Sequence, residues 1–158
     1  MYKKNNKGIT LIEIIFVIAI TITIISIITL NLSDFKKNRT LTNTTSEIIS
    51  LINKARNNTI SSLNSNNYGV HFDSDQVVLF SGNTYNSNAA DNEVILFESS
   101  VEIASSGGLN LNGGGSNMIF EKITGETNNY GTITVRVKSD NNQYKIINVN
   151  KLGVVSEN

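Results

Sequence analysis

Hydrophobic and polar positions divide this chain into three consecutive stretches with different periodicities. Residues 9–30 are almost continuously apolar, and Glu13 is the one charged residue among them. Residues 34–62 repeat apolar or small side chains at spacings of seven, four and three, which predicts an amphipathic helix. From Tyr68 onward the alternation has a period of two, which predicts strands. A helix followed by strands indicates an α+β protein with an antiparallel sheet. The apolar face of the helix carries Leu41, Ile48, Ile52, Ala55 and Thr59, and the opposite, solvated face carries Lys37, Arg39, Glu47, Lys54, Arg56 and Asn57.

Turn-forming residues set the limits of these elements. Residues 64–67 and Gly69 favour turns and left-handed conformations, so we expect the helix to end there. Residues 73–75 join the first two strands into a hairpin, and residues 140–142 join the last two. The predicted strands are Tyr68–Phe72, Gln76–Phe80, Glu93–Phe97, Val101–Ala104, Ser116–Phe120, Gly131–Lys138 and Gln143–Val149.

The apolar stretch 9–30 has the length of a membrane-crossing helix. About 20 residues at a rise of about 1.5 Å each match a hydrocarbon core of about 30 Å. Its Thr and Ser hydroxyls can bond back to helix carbonyls, so they do not prevent insertion. A cleaved secretory signal peptide would be shorter and would end in small residues, which this stretch does not do. The lysines that precede it, Lys3, Lys4 and Lys7, predict a cytoplasmic N-terminus and an external C-terminal part.

Composition limits what the remainder can be. The chain has 158 residues, which leaves room for one modest domain after the apolar stretch. Its 13 basic and 13 acidic residues cancel, and removal of the three leader lysines leaves 10 − 13 = −3. A protein that binds nucleic acid through phosphate contacts carries a basic patch, so direct nucleic-acid binding is not expected. The chain has no cysteine, so no disulfide and no thiol chemistry is available.

Residues with catalytic or ligand-binding chemistry are few. His71 is the one histidine, so no Ser/His/Asp or Cys/His set can form, and neither an enzyme activity nor a cofactor is expected. Asp73 and Asp75 are weak candidates for a calcium site, because the same spacing is ordinary turn chemistry. The glycine clusters at 107–108 and 113–115 lack the Gly-Lys-Ser/Thr of a phosphate loop, so we interpret them as turns or flexible loops that could contact a partner.

The residues around the start of the apolar stretch form a recognisable motif. Lys7-Gly8-Ile9-Thr10-Leu11-Ile12-Glu13 resembles the processing site of type IV prepilins and type II secretion pseudopilins. The resemblance implies that a prepilin peptidase cuts between Gly8 and Ile9 and that the new amine of Ile9 is N-methylated. It also implies that Glu13, the fifth residue after the cut, pairs with the amine of a neighbouring subunit during filament assembly. Ile9 departs from the family, in which Phe is commonest at this position.

Softer similarities point to one branch of that family. Residues 54–57 with 68–72 resemble the helix end and first strand of the GspH/FimT-like proteins, the H-type minor pseudopilins. Residues 120–125, 146–150 and 153–155 resemble the closing strands of that branch, whereas residues 83–117 match little.

The resemblance implies a pilin fold, in which a long N-terminal helix with a transmembrane first half packs on an antiparallel β domain. The expected parts are a leader (1–8), a transmembrane helix segment (9–30), an amphipathic continuation (31–63) and a β-rich GspH-like domain (64–158). The expected function is that of a structural minor pilin or pseudopilin in a type IV filament or a type II secretion system. The expected partners are other pilins, the prepilin peptidase, an inner-membrane assembly platform and membrane lipid.

One alternative of a different class stays open. The same anchor would serve a membrane-tethered binding protein or adhesin that does not polymerise. An uncut Met1 terminus would indicate the tether, and a chain that begins at methylated Ile9 would indicate the pilin. The residues do not distinguish a secretion pseudopilus from a surface or competence pilus.

Overall fold

The computed structural model describes residues 8–158, and the side chains of residues 28–31 and 33 are not described. The predicted leader therefore lies outside the described residues except for Gly8. The chain divides into two compact units, Met1–Lys36 and Lys37–Asn158. Helix α1 (Leu11–Ile60) contributes to both units, and a 3-10 helix (Leu63–Ser65) follows it.

In the first unit, residues 11–36 are the N-terminal part of α1. Its Thr and Ser hydroxyls donate to carbonyls three or four residues earlier, as expected; the donors are Thr21, Thr23 and Ser26, at distances of 2.8 to 2.9 Å. Among the described residues, we find no helical segment that combines the length and the apolar character needed to cross a membrane. Three residues of the predicted span, 28–30, have side chains outside the described set.

The second unit contains nine strands in two antiparallel sheets. The first sheet has the order β3-β2-β1-β6, and the second has the order β4-β7-β8-β9 with β5 also paired to β7. The strands are β1 (Tyr68–Phe72), β2 (Gln76–Ser81), β3 (Glu93–Leu96), β4 (Val101–Ile103), β5 (Leu109–Leu111), β6 (Asn117–Ile119), β7 (Gly131–Val137), β8 (Asp140–Val149) and β9 (Val155–Glu157). The predicted α+β class with an antiparallel sheet is confirmed at this level.

The core of the second unit joins both sheets to α1. The whole predicted apolar helix face is buried, from Leu41 to Thr59. Alternate strand residues meet this face, such as Val70 and Leu79, which are paired across β1 and β2. The period of two places every second side chain of each strand on the same face of its sheet, so the alternation seen in the sequence becomes a buried layer.

Two local expectations are wrong, and one strand was not predicted. Residues 140–142 are part of β8, and the turn lies instead at Lys138 and Ser139. Residues 140–142 still have turn-like geometry, because Asp140 Oδ1 accepts a hydrogen bond from the backbone N–H of Asn142 (2.9 Å). The pairing register of β7 and β8 also shifts, between Arg136 and Val137. Residues 120–125 form a turn rather than a closing strand. Strand β5 was not predicted, whereas residue 155, which the resemblance placed in a closing strand, is the first residue of β9.

Two charges of the helix face that we interpreted as merely solvated bind the β domain. Lys54 Nζ pairs with Glu93 Oε2 at 2.5 Å. Arg56 Nε donates to the carbonyl oxygens of Gly125 (3.2 Å) and Leu152 (3.1 Å). These contacts connect α1 to strand β3 and to two turns.

The glycine-rich middle of the chain is folded. Residues 83–117 contain β3, β4 and β5. Gly113, Gly114 and Gly115 all have positive φ (80°, 71° and 80°), so the tight-turn interpretation applies to them. This turn connects β5 to β6.

Candidate functional site

The peptide bond between Gly8 and Ile9 lies in an exposed segment that precedes the first helix. Residues 8–10 have no regular secondary structure, and each is exposed. The fold gives no reason for a glycine at position 8, because its φ is not positive and a Cβ there would contact nothing within 4 Å.

Thr10 and Glu13 form the start of α1. The backbone N–H of Glu13 donates to Thr10 Oγ1 (3.3 Å) and to the Thr10 carbonyl (3.1 Å). Thr10 is therefore the N-cap residue and Glu13 is the third helical residue, which is the sequence spacing of a capping box. A carboxylate in the first turn also interacts favourably with the positive end of the helix dipole, by about 0.3–1 kcal/mol.

This capping role was missed at the sequence level, although its signal was present. Thr10-Leu11-Ile12-Glu13 has the Ser/Thr-x-x-Glu pattern that marks helix starts before an apolar run. The expectation had also placed Ile9 inside the helix, one turn before Glu13. In the structure α1 begins at Leu11, so Ile9 precedes the helix.

The surface around Glu13 is apolar. Its carboxylate has no ion-pair partner among the described residues. A shallow depression beside it is lined by hydrophobic side chains, and every residue from 8 to 27 is exposed within the chain. A helix that is apolar on all sides is normally covered by protein or by lipid. The hydrophobic residues around Glu13 are Ile9, Ile14, Val17 and Ile18.

The second cluster with chemical potential surrounds His71 on β1. Its Nδ1 lies 2.6 Å from Asn117 Oδ1, and its Nε2 lies 3.2 Å from Asp73 Oδ1. The ring stacks on Tyr85 with 3.9 Å between centroids and 10° between planes. Through these contacts His71 connects β1 to β6 (Asn117), to the β1–β2 turn (Asp73) and to the loop after β2 (Tyr85). The contacts of His71 are with Asn117, Asp73 and Tyr85, and no Ser or Cys side chain is among them.

The proposed calcium candidates are not brought together with further acidic ligands. Asp73 uses one carboxylate oxygen on His71 and the other on Gln76 Nε2 (2.9 Å). Asp75 accepts the backbone N–H of Phe97 with its carbonyl oxygen. Across residues 8–158, no group of three His, Cys, Asp or Glu side chains is placed to hold a metal ion. The geometry of Asp73 is that of a turn.

Comparison of the chain with protein-family models, with curated proteins and with solved structures found no match.

Proposed function

We propose that this protein is a structural subunit of the pilin and pseudopilin type, cut between Gly8 and Ile9 and assembled through the N-terminal part of α1. The observation that carries the proposal is the arrangement around Glu13. An exposed Gly-Ile bond precedes a capped helix start, and the first turn of that helix holds a carboxylate without a partner among the described residues. The resemblance of residues 7–13 to a prepilin processing site is the reason for proposing this family.

The exposed apolar surface of residues 11–27 supports assembly. Full burial of one Ile or Val side chain is favourable by about 1.5–3 kcal/mol relative to exposure to water. A covered position is therefore strongly favoured for these side chains. In the proposed function, lipid covers the surface before assembly and the helices of neighbouring subunits cover it in the filament. The N-terminus is cytoplasmic and the β domain is outside the inner membrane. The partners are the prepilin peptidase, the assembly platform and other subunits.

The role proposed for Glu13 follows from charge. Cleavage after Gly8 creates a cationic amine on Ile9, and the carboxylate of Glu13 on a neighbouring subunit is its complement. An ion pair in an apolar, low-dielectric surrounding is stronger than in water, and either charge alone is costly there. The pair therefore selects one axial register between subunits. The minor, H-type assignment rests on two resemblances to that branch, one of residues 54–57 with 68–72 and one of residues 120–125, 146–150 and 153–155.

Intact-mass analysis of the chain from cells that contain a prepilin peptidase tests the proposal. We expect a species that begins at Ile9 and carries one methyl group. We further expect that Glu13→Ala leaves cleavage and membrane insertion intact and reduces incorporation into filaments, measured by crosslinking to neighbouring subunits. An uncut Met1 terminus would favour the non-polymerising tether instead, and unchanged incorporation of Glu13→Ala would remove the role of that carboxylate.

A further inference from the structure

Strand β3 has one open side. It lies at the end of the order β3-β2-β1-β6 and pairs with β2 alone among the described strands. The backbone N–H of Phe97 donates to the carbonyl of Asp75 at 2.8 Å, so the backbone groups of Phe97 face β2. Because backbone groups alternate in direction along a strand, those of Glu93 and Ile95 also face β2. The N–H and C=O groups of Val94 and Leu96 therefore point away from the sheet.

The side chains on this edge do not protect it. Val94 is 50% exposed and Leu96 is 71% exposed, whereas Ile95 packs against the core. The strand contains no Lys, no Pro and no register shift. Natural sheets protect their edges with such devices, and an open apolar edge without them is a template for another strand.

Two other sheet edges differ from β3. Strand β9 ends at Glu157, which forms an ion pair with Lys145 of β8. Strand β6 has three residues, of which Met118 is fully buried and the other two are half-buried. Of these three edges, β3 is the one with two apolar side chains that are at least half exposed, Val94 and Leu96.

We propose that β3 is a docking edge for a second copy of this chain, and that the two β3 strands pair antiparallel about Ile95. In this register Val94 of each copy lies opposite Leu96 of the other, so both outward-facing hydrogen-bonding positions are satisfied and two apolar pairs form. The pairing brings no like charges together, because Glu93 faces Phe97 and Glu98 faces Asn92. Glu93 is already neutralised by Lys54 of its own chain.

The contact is isologous, since the same surface is used by both copies, and it joins the two sheets into one. It goes beyond the proposed function and does not depend on it. The contact requires neither cleavage at Gly8 nor the charge of Glu13.

The absence of cysteine allows a direct test in the full chain. Two differently tagged chains, one with Val94→Cys and one with Leu96→Cys, are produced together and oxidised. Directly opposed Cβ atoms are about 4.5–5.5 Å apart, whereas the diagonal pair 94 to 94 is about 7–8 Å apart. The Cβ atoms of a disulfide are about 3.5–4.5 Å apart, so the opposed pair needs less movement than a diagonal pair, and we expect the mixed disulfide to exceed either homodimer several-fold.

Val154→Cys is the matched control, because this valine is also 50% exposed but is not on the β3 edge. A mixed disulfide no more abundant than the Val154→Cys dimer would overturn the proposal, and so would homodimers that dominate over the mixed species. Disulfides to host proteins in place of the second copy would assign the edge to another partner and overturn it as well.

A second measurement does not need cysteine. Leu96→Lys places a charge on the edge and should lower the dimeric fraction of the full chain in sedimentation experiments. Leu152→Lys, at a leucine that is 56% exposed, should leave it unchanged. Equal effects of the two lysines would overturn the proposal.

Discussion

The hydroxyl of Thr59 accepts the backbone N–H of Tyr68 at 2.9 Å and so joins the last turn of α1 to the first residue of β1. Both residues are buried, and the same hydroxyl donates to the carbonyl of Ala55 at 2.9 Å. The sequence had assigned Thr59 to the apolar face of the helix. Its burial agrees with that assignment, but its hydroxyl provides the polar partner that the start of β1 needs.

Thr59→Val should lower the free energy of unfolding by about 1–3 kcal/mol, because it leaves the buried N–H of Tyr68 without an acceptor. The replacement has nearly the same shape, so the loss is not one of packing. Urea unfolding of the full chain in detergent can be followed by tyrosine emission, since the protein has five tyrosines and no tryptophan.

Thr45→Val is the control for this prediction. Thr45 is equally buried, but its hydroxyl donates only to the carbonyl of Leu41, four residues earlier in the same helix. Its removal leaves no buried donor without an acceptor, so the loss of stability should be smaller than that of Thr59→Val. If both variants lost the same unfolding free energy, the hydrogen bond between Thr59 and Tyr68 would contribute no more to stability than that of Thr45.

Ile123 has a backbone conformation that is unfavourable for its residue type. Its φ is 73°, and the N–H of Thr124 donates to the carbonyl of Lys122 at 2.8 Å, which makes a γ-turn of positive φ. Such turns are rare and strained, above all for a β-branched residue. The side chain is 84% exposed, so it contributes little packing in return.

Ile123→Gly should therefore be more stable than Ile123→Ala, by about 1 kcal/mol. Glycine normally makes a protein less stable than alanine by about 0.5–1 kcal/mol, because the unfolded chain is freer. The expected order of stability is the reverse of that rule. The sign of the difference in unfolding free energy between the two variants, measured in urea, therefore tests the prediction. If the alanine variant is the more stable of the two, the turn is not strained.

Much of the fold could be predicted, because its elements have clear local patterns. The limits of β1 were predicted from alternation between turn residues, and the buried face of α1 from its spacing. Strand β5 was missed because three residues, Leu109 to Leu111, are too few to show a period. The β7–β8 turn was misplaced because Asp140 and its asparagines have turn chemistry but lie in an irregular part of β8.

The candidate site was less accessible to sequence reasoning. Gly8, Ile9 and Glu13 were found through a motif, whereas the capping contact between Thr10 and Glu13 depends on where the helix begins. The open edge at Val94 and Leu96 depends on strand order, which is a long-range property that a local pattern does not contain. A four-residue strand with two exposed apolar side chains looks the same in the sequence whether it is central or at an edge.

The contact between Thr10 and Glu13 makes two properties of this helix start separable: the capping by Thr10 and the charge of Glu13, which we propose acts in assembly. Thr10→Ala removes the capping oxygen and should destabilise the helix start by about 1 kcal/mol, while it keeps the carboxylate. Glu13→Gln keeps the capping pattern, because glutamine serves at the third helical position, but it removes the charge. If the charge selects the register, Glu13→Gln should be cut after Gly8 and inserted normally, yet be incorporated as poorly as Glu13→Ala.

Thr10→Ala should then be processed and incorporated like the wild-type chain. Both variants are followed by the mass of the N-terminus, which reports cleavage, and by the fraction crosslinked to neighbouring subunits, which reports assembly. The opposite result, normal assembly of Glu13→Gln and failure of Thr10→Ala, would mean that Glu13 acts through the helix start. The charge of Glu13 would then have no part in subunit assembly, because the neutral glutamine at the same position would support assembly equally well.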